Sequence, residues 1–181
     1  MILYHGSYIM IPKPDVSYGR VNLDFGRGFY VTAVKEQADR WSKRRLLTRK
    51  ALYPAEDLRA TVSTYEFDMD CRDIKIRRFT GYTEEWLDFV VANRSDSASA
   101  NHAEYDVIYG NVANDDVARA IDDYLELVRK DRVNEDVRKA LMFQLQFSRE
   151  NDQYCFASEA AIAELHYIDY YYPKGEMNGK E

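Results

Sequence analysis

The sequence predicts an α+β fold with mainly antiparallel sheet, on three observations. Short runs rich in β-branched and aromatic residues, such as TVSTYEF at 61–67 and YDVIYGNV at 105–112, read as strands. Longer stretches such as EEWLDFVVANR at 84–94 carry apolar residues at helical spacing. Strands and helices do not alternate strictly and no βαβ repeat is visible, which speaks against a doubly wound parallel sheet.

In chain order, ILYH at 2–5 forms a short strand, and the loop after it holds IPKPD and SYGR, whose prolines bar regular pairing. Residues 28–32 form the second strand and 34–47 a helix in which Gln37, Ala38, Trp41 and Arg45 share one face, so Trp41 is expected to point inward or toward a cleft. After the strand at 61–67 and the helix at 84–94, SDSASANHAE at 95–104 has no apolar period and reads as a loop. The strand at 105–112 closes on Gly110, and NDD before VARAIDDYLELV supplies a cap and acids that favour a helix start. DRVNEDVRKALMFQLQFS gives the next helix with Asn134 as cap. QYCFAS at 153–158 is a strand, Ser158 caps EAAIAEL, and LHYIDYYY is the last strand. One domain over 1–172 is expected, with a fraying tail at 173–181.

A chain of 181 residues suits a single core, since burial approaches about 70% near this length. The net charge of −6, from 31 acidic and 25 basic residues, excludes a general phosphate-backbone footprint, so any nucleic-acid contact has to be local. Cys71 and Cys155 are too few for a disulfide scaffold and lack C-x-x-C spacing, which suits a reducing compartment. No stretch approaches the roughly 18 apolar residues of a membrane span, and the expectation is a soluble, cytoplasmic protein. Fifteen tyrosines suit half-exposed strand faces, or wet ligand-contacting surfaces.

Known nucleotide motifs are missing. G-R-G at 26–28 is a fragment of G-x-G-x-x-G and precedes a strand, whereas the dinucleotide fingerprint follows one. No G-x-x-x-x-G-K-[ST] loop is present. His5, His102 and His166 lie far apart without partners at metal-ligand spacing, so no metal is expected. His5 does precede Gly6 and Ser7 at a strand end, where backbone amides are free to meet a ligand.

LYHGS at 3–7, FGRGFYVT at 25–32 with Trp41 beyond it, and DQYCFASEAAIAELHYI at 152–168 resemble, in order, the three signatures of the histidine-tyrosine-glutamate ADP-ribosyltransferases, the group of diphtheria toxin and the poly(ADP-ribose) polymerases. Over nearly its whole length the chain also resembles a bacterial domain-of-unknown-function family (DUF3990-type) of that superfamily, whose members often look like toxins of toxin-antitoxin pairs. The resemblance implies a split sandwich of two small antiparallel sheets with flanking helices and NAD, as substrate, in the cleft. It implies a mono-ADP-ribosyltransferase, toxin-type chemistry on a protein or nucleic-acid acceptor, and an antitoxin partner.

By this similarity His5 bonds the adenosine ribose, the Gly6 backbone pairs with the nicotinamide carboxamide, and Tyr30 and Trp41 sandwich the nicotinamide ring. Ser7 and Gly28 belong to the same NAD-binding set, the glycines letting the chain approach the ligand closely. Gln153 stands where the catalytic glutamate is expected. A carboxylate there stabilises the oxocarbenium-like centre formed when the nicotinamide bond breaks, and a neutral amide lacks that charge, at a cost on the order of 10²-fold in rate. Asp152 and Glu159 rank behind Gln153 as substitutes, because strand alternation turns Asp152 to the other face. Ala38 falls where the polymerases carry a serine that bonds the carboxamide.

Arg20 and Arg27 read either as pyrophosphate contacts or as solvent-facing loop arginines. The basic run at 40–50 reads as a solvated helix face or as a dock for an acidic partner, an antitoxin or a nucleic acid. Against the transferase stand two other readings: a non-catalytic NAD or ADP-ribose binding module in which Gln153 marks lost chemistry, and a partner-binding protein without NAD.

Overall fold

The computed structural model describes residues 1–95, 104–111, 115–145 and 152–174. Its elements, in chain order, are β1 (Ile2–Ser7), β2 (Phe29–Val31), α1 (Lys35–Leu52), β3 (Thr61–Glu66), β4 (Ile76–Arg78), α2 (Glu84–Arg94), β5 (Val107–Asn111), α3 (Asp115–Arg129), α4 (Glu135–Leu145), β6 (Asp152–Phe156), α5 (Glu159–Ala163) and β7 (His166–Tyr171). They form two sheets, β1-β3-β7 and β2-β6-β5-β4. This is the expected α+β class with two small sheets and flanking helices.

Two cores follow from strand alternation. Leu3, Phe29, Val31, Tyr65, Phe67 and Phe156 fill the space where the sheets face each other. Side chains on the other face of the four-stranded sheet, including Ile108 and Cys155, meet Trp86, Leu87 and Val90 of α2 and Ile121 and Tyr124 of α3. Helix α2 starts on the Thr83 hydroxyl, which accepts from Trp86 N, and its buried face is Trp86, Leu87, Val90 and Asn93. The Trp86 indole reaches across to donate to Asn111 O at 3.1 Å, tying α2 to the end of β5. Asn134 and Ser158 cap α4 and α5 as expected, at 2.9 and 3.1 Å.

Three expectations need correction. Residues 76–78, IRR, form β4, which pairs parallel with β5 across α2. A β-α-β unit is therefore present, hidden because its first strand is three residues long with two arginines. Helix α1 extends to Leu52 rather than ending near 47. Within the proline-bounded loop, Val16–Tyr18 close a 3₁₀ turn capped by Asp15. Most of the expected loop at 95–104, the cap at Asn114 and the tail from residue 175 lie outside the described residues. Among the described residues, no helix is long and apolar enough to cross a membrane.

Candidate functional site

Among the described residues, the backbones of the two sheets are joined by one isolated antiparallel bridge. Tyr4 N donates to Thr32 O at 2.8 Å and Thr32 N to Tyr4 O at 3.0 Å. Backbone polar groups in an antiparallel pair face alternate sides at every second residue. Since Tyr4 turns its N–H and C=O toward β2, Gly6 presents its own pair at the same edge, while its neighbour β3 lies on the other side. By the same rule Tyr30, two residues before Thr32, turns its carbonyl toward β1. A continued ladder would join Gly6 to Tyr30, but the bridge is not continued.

The imidazole of His5 takes that carbonyl instead. Its Nδ1 lies 2.7 Å from Tyr30 O. Because a carbonyl only accepts, Nδ1 carries the proton and Nε2 is left as an acceptor. The ring stacks on Phe29, centroids 4.4 Å apart at 24°. Burial drives the His5 pKa down to about 4, against a smaller upward pull from the Tyr30 carbonyl, and the nearby Arg45 charge lowers it further. His5 is therefore neutral near pH 7.

Gly6 is required by packing on the sheet's outer face. A Cβ there would collide with Ala38 O and lie 2.7 Å from Ser42 N, so β1 rests directly on the α1 backbone. This contact explains the inward face of α1, which is Gln37, Ala38 and Ser42. Trp41, expected to point inward or toward a cleft, is 39% exposed, since β1 rests on the helix backbone at Ala38 and Ser42. It sits on the same turn as Ala38 and Ser42, the two residues against Gly6.

Tyr30 pairs with Cys155 on β6, and opposed residues share a face. Gln153, two residues before Cys155, lies on that face as well, level with Thr32. The Tyr30 hydroxyl donates to Gly26 O at 2.5 Å, and its ring is partly buried against the helical core. Burial pushes the Tyr30 phenol well above its ordinary pKa and the Cys155 thiol up to about 12. Gly28 meets this same wall, since a Cβ on it would lie 2.6 Å from Phe156 O and closer still to Cys155 Sγ. Its missing side chain makes room for β6. Gly26, with φ 76°, turns the chain into β2.

Asp152 points to the opposite face. Its carboxylate accepts from the Tyr109 hydroxyl at 2.6 Å, and its backbone oxygen from Thr32 Oγ1 at 3.0 Å. Glu159 is exposed in the first turn of α5. Ser7 is buried at the end of β1, while Arg20 and Arg27 are exposed. The fold thus gathers His5, Gly6, Tyr30 and Gln153 on three neighbouring strands, β1, β2 and β6, and leaves the two arginines in solvent.

An unpredicted polar anchor holds the segment before β2. Arg94 of α2 meets Asp24 at 2.5 Å through one guanidinium nitrogen and donates to it from Nε at 2.7 Å, and both side chains are largely buried. Asn93 adds a bond to Asp24 O at 3.3 Å. LDFG shows an acid in its sequence, but nothing in the sequence pairs that acid with a helix 70 residues away.

No curated protein and no solved structure matched the chain. Residues 1–167, most of its length, match the family described as protein of unknown function DUF3990. The chain belongs to the DUF3990 family.

Proposed function

We propose that this protein is an NAD-dependent mono-ADP-ribosyltransferase, with NAD as substrate at the split between β1 and β2. The observation that carries the reading is the open edge at Gly6: one backbone donor and one acceptor face the gap, beside a neutral imidazole. A primary carboxamide has the complementary acceptor and donor in one plane. Nicotinamide fits such an edge, and the Nε2 acceptor of His5 suits a ribose hydroxyl. Tyr30 and Gln153 share the face next to it, with Trp41 on the adjoining turn of α1 offering an exposed ring.

In this reading His5 binds and orients. Gly6 aligns the amide, and Gln153 accepts a hydrogen bond from the ribose as the glycosidic bond breaks. Gln153 brings no negative charge, which favours slow, single-unit transfer over chain growth. That neutral amide also favours a second reading, a module that binds NAD or ADP-ribose without cleaving it.

The test is to incubate the protein with NAD at roughly a hundredfold excess over its Kd, where a bound ligand adds about 2.7 kcal/mol of stability. Thermal stabilisation together with nicotinamide release supports the transferase. Stabilisation without release selects the binding module, and neither effect removes both. A Trp41→Ala variant that keeps full NAD affinity would remove that ring from the site.

A further inference from the structure

Away from the split, the far end of the three-stranded sheet opens into a cleft of about 540 Å³. Tyr8 follows β1 and lines one side, Arg59 precedes β3, and Tyr170 and Tyr172 stand at the end of β7. Two of the tyrosines are exposed, Tyr172 at 51% and Tyr170 at 37%. They meet edge to face, centroids 5.6 Å apart, so each leaves a π-face uncovered by the other.

Cations back these rings. The Arg59 guanidinium lies 5.7 Å from the Tyr172 ring centre, and Asp57 lines the same cleft without forming an ion pair with it among the described residues. Arg49 lies 3.9 Å from the ring centre of Tyr53 and 5.6 Å from that of Tyr8. Glu56 grips its fork at 2.6 and 2.7 Å, which holds the guanidinium in place between the rings. Arg45 lies one turn earlier on the same stripe of α1 and is close enough to His5 to lower its pKa. The basic stretch of α1 is therefore continuous with the aromatic cleft, and it runs back toward the split.

Exposed π-faces alternating with guanidinium groups fit one ligand chemistry. Unstacked bases can lie on the tyrosines while phosphates meet Arg59; Arg49, already bound to Glu56, serves to hold the Tyr8 and Tyr53 rings. A duplex cannot use the rings, because its bases are already stacked. We infer that this surface binds single-stranded nucleic acid without sequence preference. The inference is independent of NAD chemistry at the split; where both hold, it names the class of acceptor.

The experiment is fluorescence anisotropy with a labelled oligothymidylate of about twelve nucleotides and with a duplex of equal length, over a salt series. Saturable binding to the single strand is expected, at least about tenfold tighter than to the duplex. Arg59→Ala is expected to flatten the slope of log affinity against log salt by about 0.7. Tyr172→Ala is expected to weaken binding about fivefold or more with the slope unchanged. Both positions are exposed, so circular dichroism is expected to match the wild type. No binding at low salt overturns the proposal, as does equal binding of the duplex, or single-strand binding that neither substitution alters.

Discussion

The His5 imidazole donates to the Tyr30 carbonyl at 2.7 Å, across the gap where the two sheets part. It occupies the acceptor that a Gly6 amide would use in an unbroken ladder, so one side chain satisfies β2 and keeps the Gly6 edge open. Protonation would keep the Nδ1 bond but remove the Nε2 acceptor, so that acceptor exists only while the ring is neutral, and burial enforces that state.

The first prediction follows from this burial. The His5 pKa is about 4 in the fold against 6.5 when exposed, so the unfolded chain binds the proton more readily between those values. Stability from this group is complete above pH 6.5 and declines as pH falls toward 4, by about 3 kcal/mol in all. Denaturant titrations at the two ends of that window are expected to show the loss in the wild type and to lack most of it in His5→Gln. An imidazole NMR titration with a midpoint near 6.5 would refute it.

Gly6→Ala is expected to cost more than about 2 kcal/mol, because the colliding atoms belong to the α1 backbone and cannot rotate away. Gly28→Ala is expected to be similarly harmful, with partial recovery in Cys155→Ala/Gly28→Ala, which removes one of its two obstacles. Chemical denaturation midpoints decide both.

Arg94 holds Asp24 and also Asp122, the latter at 2.9 Å, so removing it breaks two ion pairs at a largely buried guanidinium. Arg94→Ala is expected to cost about 3–5 kcal/mol, and Asp24→Asn in that background to restore part of it. Since the Asp24–Arg94 pair anchors the segment leading into Gly26 and β2, increased amide exchange at residues 23–28 is expected in Arg94→Ala. Unchanged exchange there would show that the anchor does not position the segment.

Under the transferase reading, Gln153→Glu is expected to raise nicotinamide release by about 10²-fold, by placing a charge on the face of Tyr30. Asp152→Asn is expected to leave the rate near wild type, since that carboxylate is held by Tyr109 on the opposite face. A reversed pattern would assign the chemistry to Asp152.

Much of the fold was readable where local chemistry and tertiary packing agree. Helix 84–94 was bounded to the residue, because Thr83 and its apolar stripe mark it independently of context. The caps at Asn134 and Ser158, and the opposed directions of Asp152 and Gln153, followed from equally local rules. Strand β4 was not readable, since it owes its order to pairing with β5 rather than to its own three residues. Of the face expected at Gln37, Ala38, Trp41 and Arg45, the first two are buried while Trp41 stays 39% exposed, because periodicity shows which residues share a face, not how close the neighbouring strand comes. Gly6 sets that distance, and a glycine in a sequence does not announce what fills its place.

The bridge at Tyr4 and Thr32 joins the sheets by one pair of hydrogen bonds instead of a ladder. Each sheet keeps its internal pairing when the angle between them changes by a few degrees, so the gap is adjustable at little cost in backbone bonding. Its width is governed by the side chains packed between the layers, among them Phe29, on which His5 stacks, with Tyr65 and Phe156. Under the transferase reading, what the split admits is then set by those side chains, with the strands themselves left untouched.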